Sequence, residues 1–107
     1  MEKIRILLCC GGGFSSGMLA QKSRKAANKA GLNASVEARS ESQVSEYLDK
    51  IDVLLLGPHY ERNLNNFSKL AAPFNVPVAV IPKEIYGMID GEKLLEFALS
   101  LVEHKER

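Results

Sequence analysis

The sequence predicts an α/β fold: a four-stranded parallel, doubly wound sheet in the order 2-1-3-4, with helices on both faces. Two observations predict it. Four short apolar runs are spaced along the chain, with helical patterns between them. The runs are apolar at nearly every position instead of alternating, as in strands covered on both faces. Right-handed crossovers then leave few ways to wind so short a chain.

The elements follow in order. Ile4 to Cys10 reads as the first strand. Phe14 to Ala30 carries Phe14, Met18, Leu19, Ala26, Ala27 and Ala30 at helical spacing, and Gly31 is placed to end that helix in the left-handed conformation. Ala34 to Ala38 is a short second strand. Ser40 and Gln43 form a capping box for a short helix bearing Val44, Tyr47 and Leu48. Ile51 to Leu56 is the clearest strand, ended by Gly57-Pro58. Tyr60 to Ala71 puts Tyr60, Leu64, Phe67 and Leu70 on one helix face, and Pro73 stops it. Val76 to Ile81 is the fourth strand, with Pro77 near its start, where a missing N–H does least harm. Ile85 to Ile89 is an irregular apolar segment or a short helix. Asp90 then caps a last helix with Leu94, Leu95, Ala98, Leu99 and Val102 as its buried stripe.

At 107 residues and 25% charged residues the chain reads as one ordinary globular domain, 1–107. A net charge of +1 with no Lys/Arg run argues against nucleic acid as a partner. The longest apolar stretch is too short to insert in a membrane, and no secretory signal is present. The two cysteines are adjacent, Cys9 and Cys10, with no distant thiol to pair with, which points to a reducing, cytoplasmic setting. Two adjacent cysteines and two distant histidines lack the spacing of a zinc site, so no metal is expected.

In doubly wound sheets ligands sit at the carboxyl ends of the strands, where the winding reverses. Here that point is Cys10. The stretch Cys10-Gly11-Gly12-Gly13-Phe14-Ser15-Ser16-Gly17 joins a strand end to a helix start through three glycines, which let successive N–H groups turn inward around an anion. The helix adds its unpaired N–H groups and positive dipole end, and Ser15 and Ser16 add hydroxyls. A thiol at the mouth of such a cradle has its pKa lowered and becomes a nucleophile near neutral pH. Cys9, one residue earlier, reads as a small core residue. The loop has no Gly-Lys-Ser/Thr, so it is not a nucleotide P-loop. A phosphatase loop of the Cys-x5-Arg type would carry arginine where this chain has Ser16. Without that guanidinium, hydrolysis loses its main charge clamp and a phosphocysteine should persist.

With that loop the chain resembles the IIB component of the lactose/cellobiose class of the bacterial sugar phosphotransferase system. Leu8-Cys9-Cys10-Gly11-Gly12-Gly13-Phe14-Ser15-Ser16-Gly17-Met18-Leu19 is similar to that family's opening motif. Asp52-Val53-Leu54-Leu55-Leu56-Gly57-Pro58 resembles its third-strand motif, and Ile85-Tyr86-Gly87-Met88-Ile89-Asp90-Gly91 its Tyr-Gly-x-x-Asp-Gly signature. The resemblance implies a relay without a soluble cofactor. A IIA protein gives the phosphoryl group of its phosphohistidine to Cys10, which passes it to a sugar held by the IIC membrane permease. Gly11 and Gly17 stand where the family often has hydroxyl residues, leaving more of the holding to backbone N–H groups. The rival readings are a low-molecular-weight cysteine phosphatase-like enzyme, which Ser16 disfavours, and a non-catalytic regulatory binding domain.

Around the loop, His59 could steer phosphate but reads more simply as a solvated loop residue. Tyr60 and Tyr86 could line a partner surface. Arg5 and Lys22 are the nearest cations, and neither is placed to reach a phosphoryl group.

Overall fold

The computed structural model describes residues 3–9 and 14–105, with side chains for residues 3–9 and 17–102. Its strands are β1 (Ile4–Cys9), β2 (Ala34–Arg39), β3 (Val53–Leu56) and β4 (Val78–Val80), and the helices are α1 (Phe14–Lys29), α2 (Val44–Tyr47), α3 (Leu64–Ala71), α4 (Lys83–Met88) and α5 (Gly91–Lys105). The sheet is fully parallel in the order β2-β1-β3-β4, as expected.

β1, β3 and β4 each serve two cores because successive side chains point to opposite faces. Ile6, Leu8, Val53 and Leu55 pack under α1 and α5, whereas Leu7, Cys9, Leu54 and Leu56 pack under α2 and α3. This two-sided demand is why β3 and β4 are wholly apolar and β1 nearly so, whereas the edge strand β2 alternates Ala34, Val36 and Ala38 with Ser35, Glu37 and Arg39. It also puts the helix after β1 and the helix after β3 on opposite faces, so the winding reverses between β1 and β3. There Cys9 lies opposite Leu56, and the Cys9 carbonyl accepts a 3.0 Å hydrogen bond from the Gly57 amide.

Local signals act where they stand in the sequence. Gly31 adopts φ +71°, and its amide and that of Leu32 close onto the carbonyls of Asn28 (3.1 Å) and Ala27 (2.8 Å), terminating α1. The Gln43 side chain reaches back to the Ser40 amide at 3.5 Å and its hydroxyl at 3.3 Å, opening the turn that leads into α2. Asp90 accepts a 3.1 Å hydrogen bond from the Lys93 amide and caps α5.

Several details differ from the sequence reading. The stripe of α1 is Leu19, Ala20, Ser23 and Ala27, while Met18 and Ala30 are exposed. Ser23 enters the core because its hydroxyl donates to the Leu19 carbonyl at 2.8 Å, so burial leaves no polar atom unsatisfied. Residues 58–63 form a 3-10 helix ahead of α3. The face of α3 runs through Leu64, Phe67 and Ala71, and Leu70 is exposed. Pro73 does not stop the chain at once, since one 3-10 turn (Ala72–Phe74) follows and Asn75 ends it at φ 56°. Residues 85–88 belong to a helix, α4, which Ile89 closes at φ 50°. A β-branched residue there is unusual. Its amide and that of Asp90 bond the carbonyls of Tyr86 (3.2 Å) and Ile85 (3.0 Å), and its side chain packs against the α1–α5 core.

Candidate functional site

Four segments leave the sheet at one edge: the ends of β1, β2 and β3 and the connection from β4 into α4. Cys10, Gly11, Gly12 and Gly13 lie outside the described residues. The chain on either side is described. Cys9 is held against Gly57 at the winding switch, and Phe14, Ser15, Ser16 and Gly17 form the first turn of α1. The amides of a first helical turn have no carbonyl partner within the helix, and in the sequence four residues separate Cys9 from that turn.

Gly17 is exposed, and a Cβ built on it would meet nothing within 4 Å. The space for a hydroxyl side chain therefore exists at this position. Gly17→Ala is expected to raise stability by about 0.5 kcal/mol by removing a flexible residue from a helix. Chemical denaturation would measure it, and a loss of stability would show that the backbone here is not simply helical.

Cys9 behaves as the sequence suggested. Its side chain is fully buried between Leu7 and the α2–α3 layer. Burial, reinforced by the Glu41 carboxylate, pushes its thiol pKa from 9.0 up to about 11. This thiol is neutral and inert at physiological pH. Because the folded pKa lies above the unfolded one, the unfolded chain loses its proton first as pH rises. Stability should fall between pH 9 and about 11, on the order of 2 kcal/mol in full. The difference between the pH–stability curves of wild type and Cys9→Ala isolates this contribution, and parallel curves would refute it.

The remaining candidates sort by position. Arg5 lies near the start of β1, at the far end of the sheet, where its amide donates to Asp52 at 2.7 Å and its guanidinium to the Lys50 carbonyl at 3.2 Å. Glu37 faces Arg39 at 3.4 Å, and Arg39 also donates to the Tyr47 hydroxyl at 3.0 Å, so this pair is tied up on β2. His59 is exposed yet not isolated. Its ring stands 4.7 Å from that of Tyr60 and 6.2 Å from that of Tyr86, linking the segments after β3 and β4 across the carboxyl edge. Tyr60 in turn meets Phe67 edge-on at 6.2 Å, which makes it both a core residue and part of the site's rim.

Sequence reasoning missed a cleft of about 590 Å³ between the start of α2 and α3, beside this edge. Val44 and Phe67 form its buried floor, and Glu41, Ser45, Asn63 and Asn66 stand in its walls. No motif announces it, because its two walls are about twenty residues apart in the chain. Among the described residues no group of His, Cys, Asp and Glu is arranged to hold a metal ion. No helix among them is long and apolar enough to cross a membrane.

Comparisons with known proteins agree with this architecture. The chain is 36% identical over 98 residues to the oligo-beta-mannoside-specific EIIB component of the PTS system of Bacillus subtilis (strain 168), covering 92% of this chain and 95% of that protein. The solution structure of the cellobiose-specific phosphotransferase IIB component protein from Borrelia burgdorferi superposes with a TM-score of 0.81 at 36% identity, covering 97% of this chain and 95% of that one. A weaker similarity, 26% over 101 residues, joins 92% of this chain to 18% of a longer protein, the lactose-specific EIICB component of the PTS system of Lacticaseibacillus casei. The family described as PTS system, Lactose/Cellobiose specific IIB subunit, matches residues 5–97. With the sheet order, the switch-point edge and these matches in agreement, the chain belongs to the lactose/cellobiose-specific IIB family, the phosphotransferase subunits of the sugar phosphotransferase system.

Proposed function

We propose that Cys10 is the residue that carries the phosphoryl group, cradled by the backbone amides of Gly11, Gly12 and Gly13 and of the first turn of α1, with Ser15 and Ser16 as additional donors. The observation that supports this reading is the hydrogen bond from the Gly57 amide to the Cys9 carbonyl at the winding switch, one residue before Cys10 in the chain. Its neighbour Cys9 is withdrawn from the chemistry by burial and a raised pKa, leaving Cys10 as the remaining thiol.

The chemistry is two in-line transfers. In the first, the Cys10 thiolate attacks phosphorus, an S–P bond forms, and the P–N bond of a phosphohistidine on a IIA protein breaks, returning the electron pair to the imidazole. In the second, a sugar hydroxyl attacks, an O–P bond forms with loss of the hydroxyl proton, and the thiolate leaves. In-line transfer through a loose transition state asks mainly for positioning and for donors around three equatorial oxygens, and free helix amides supply them without a metal. The joined EIICB relative supports a IIC membrane component as the partner that presents the sugar. Two adjacent cysteines with no distant thiol to pair with support a cytoplasmic setting. Relatives named for oligo-β-mannosides and cellobiose support a β-linked disaccharide as cargo.

Mass spectrometry after incubation with a phosphoryl-donor cascade ending in a IIA protein tests this. The mass of one HPO3 group should appear on the peptide containing Cys10. Addition to a histidine or serine peptide, or none, would overturn the assignment. Ready hydrolysis of an aryl phosphate would favour the phosphatase-like reading instead.

A further inference from the structure

We propose that a cleft at the amino ends of β1 and β2, at the edge of the sheet opposite the thiol loop, binds a phosphate dianion, free or as the head of a small phosphate ester. The proposal does not depend on which residue carries the transferred phosphoryl group.

The cleft follows from how the sheet is covered. In the parallel register Ser35 lies beside Arg5 and Glu37 beside Leu7, so these side chains share the face on which Leu7 packs toward α2 and α3. α2 has only four residues, and beyond its end β2 carries polar groups on this face. What remains open is a cleft of about 260 Å³. Its walls carry the cations Lys3, Arg5 and Lys50 with Ser35, Glu37 and Tyr47, over an apolar floor that includes Leu7 and Ile51.

Among the described residues none of the three cations makes an ion pair. Glu37, the carboxylate in the lining, is already offset by Arg39 at 3.4 Å. Asp52 accepts the Arg5 amide at 2.7 Å and does not line the cleft. The walls therefore hold a surplus of positive charge that the chain does not neutralise. The guanidinium is also held in place. It donates to the Lys50 carbonyl at 3.2 Å, which ties β1 to the turn bearing the Lys50 ammonium and leaves further N–H groups for a ligand. The Ser35 hydroxyl makes no hydrogen bond among the described residues and adds a donor. The Tyr47 ring already has Arg39 at 5.3 Å and Lys50 at 5.7 Å from its centre, so it anchors cations and is no free platform for a flat base. Size narrows the ligand further. The volume lies below the roughly 300–1,000 Å³ of larger small-molecule sites, which suits a compact anion and not a nucleotide. A guanidinium fork and two ammonium charges match the oxygens and double charge of phosphate, whereas a single carboxylate would offset only one of the three cations. A phosphate bound here would leave the carboxyl edge of the sheet open.

Titration of the isotope-labelled full chain with sodium phosphate at constant ionic strength, followed by backbone amide shifts, tests the proposal. Saturable shifts at Arg5, Ser35, Tyr47 and Lys50 are expected at millimolar phosphate. Glucose 6-phosphate should shift the same amides and glucose should not. Tighter binding of the ester would assign the site to a phosphorylated small molecule, and equal or weaker binding would assign it to free phosphate. Lys50→Met, an exposed substitution that keeps the side-chain stem beside Tyr47, should weaken binding by about 3- to 10-fold, as should Arg5→Gln. Phosphoryl uptake by the Lys50→Met protein should be unchanged. Phosphate shifts confined to the first turn of α1, static amides throughout, or unchanged affinity in both variants would each overturn the proposal. So would equal shifts produced by sodium chloride, which would reduce the effect to screening of surface charge.

Discussion

Cys10→Ser is expected to reduce phosphoryl uptake from a IIA donor by a factor on the order of 10³ or more, below detection in a labelling assay, while Cys9→Ala retains it. The first substitution exchanges one sulfur atom for oxygen and changes nothing else in the chain. What disappears is the nucleophile: a serine hydroxyl is not ionised near neutral pH, and no base beside it is proposed to activate it. A loss of that size corresponds to about 4 kcal/mol of barrier. Cys9→Ala instead removes a buried sulfur from the α2–α3 core and should cost on the order of 1 kcal/mol of stability, with transfer intact once folded. The pair of substitutions separates chemistry from packing at adjacent positions. Retained label in Cys10→Ser would reject Cys10 as the carrier.

Gly91→Ala should be far more damaging than Gly17→Ala or Gly87→Ala. A Cβ on Gly91 would lie 2.6 Å from the Ser23 nitrogen and 2.7 Å from the Lys22 oxygen, with the Lys22 carbonyl carbon closer still. These are backbone atoms of α1 and cannot rotate aside. The first turn of α5 must lift away from α1, opening the core around Leu19, Leu94 and Ala98. A cost of about 2–4 kcal/mol is expected, and a drop in Tm of roughly 10–20 °C. Gly87→Ala is the control, because a Cβ there meets nothing within 4 Å and the position is helical. Thermal unfolding of both variants decides the matter. Equal Tm values would mean that the α1–α5 approach is not a tight constraint.

That contact shows where sequence reading reaches its limit. Gly91 can be placed in the sequence as the residue after a capping aspartate, but nothing in the chain says that the backbone of Lys22 and Ser23 presses on it. Ser23 makes the same point from the other side. Read singly it is a polar residue and drops out of the helix stripe, yet its hydroxyl satisfies itself on Leu19 and lets two helices come close. Leu70 and Met18 fail in the opposite sense. Both are apolar at helical spacing, and both are exposed: α3 begins only after the 3-10 stretch and turns Leu64, Phe67 and Ala71 inward, and α1 buries Leu19, Ala20 and Ser23 instead of Met18.

The strand end and the helix start that flank the glycine run were legible because each is a local signal in the chain; the run itself lies outside the described residues. The His59 ring contact with Tyr86 and the polar cleft between α2 and α3 were not legible, because each joins segments that only the folded sheet brings together.

By itself the amino-acid order determined the parallel sheet, its winding and the chain position of the thiol loop. Unbroken apolar runs demand cover on both faces, and right-handed crossovers leave one economical arrangement. The tertiary structure alone decided how far the silent Cys9 thiol is shifted, through the Glu41 carboxylate added to its burial, and that Gly91 admits no side chain, through the approach of two backbones there. Both depend on distances between residues far apart in the chain, and such distances exist only once the layers have packed.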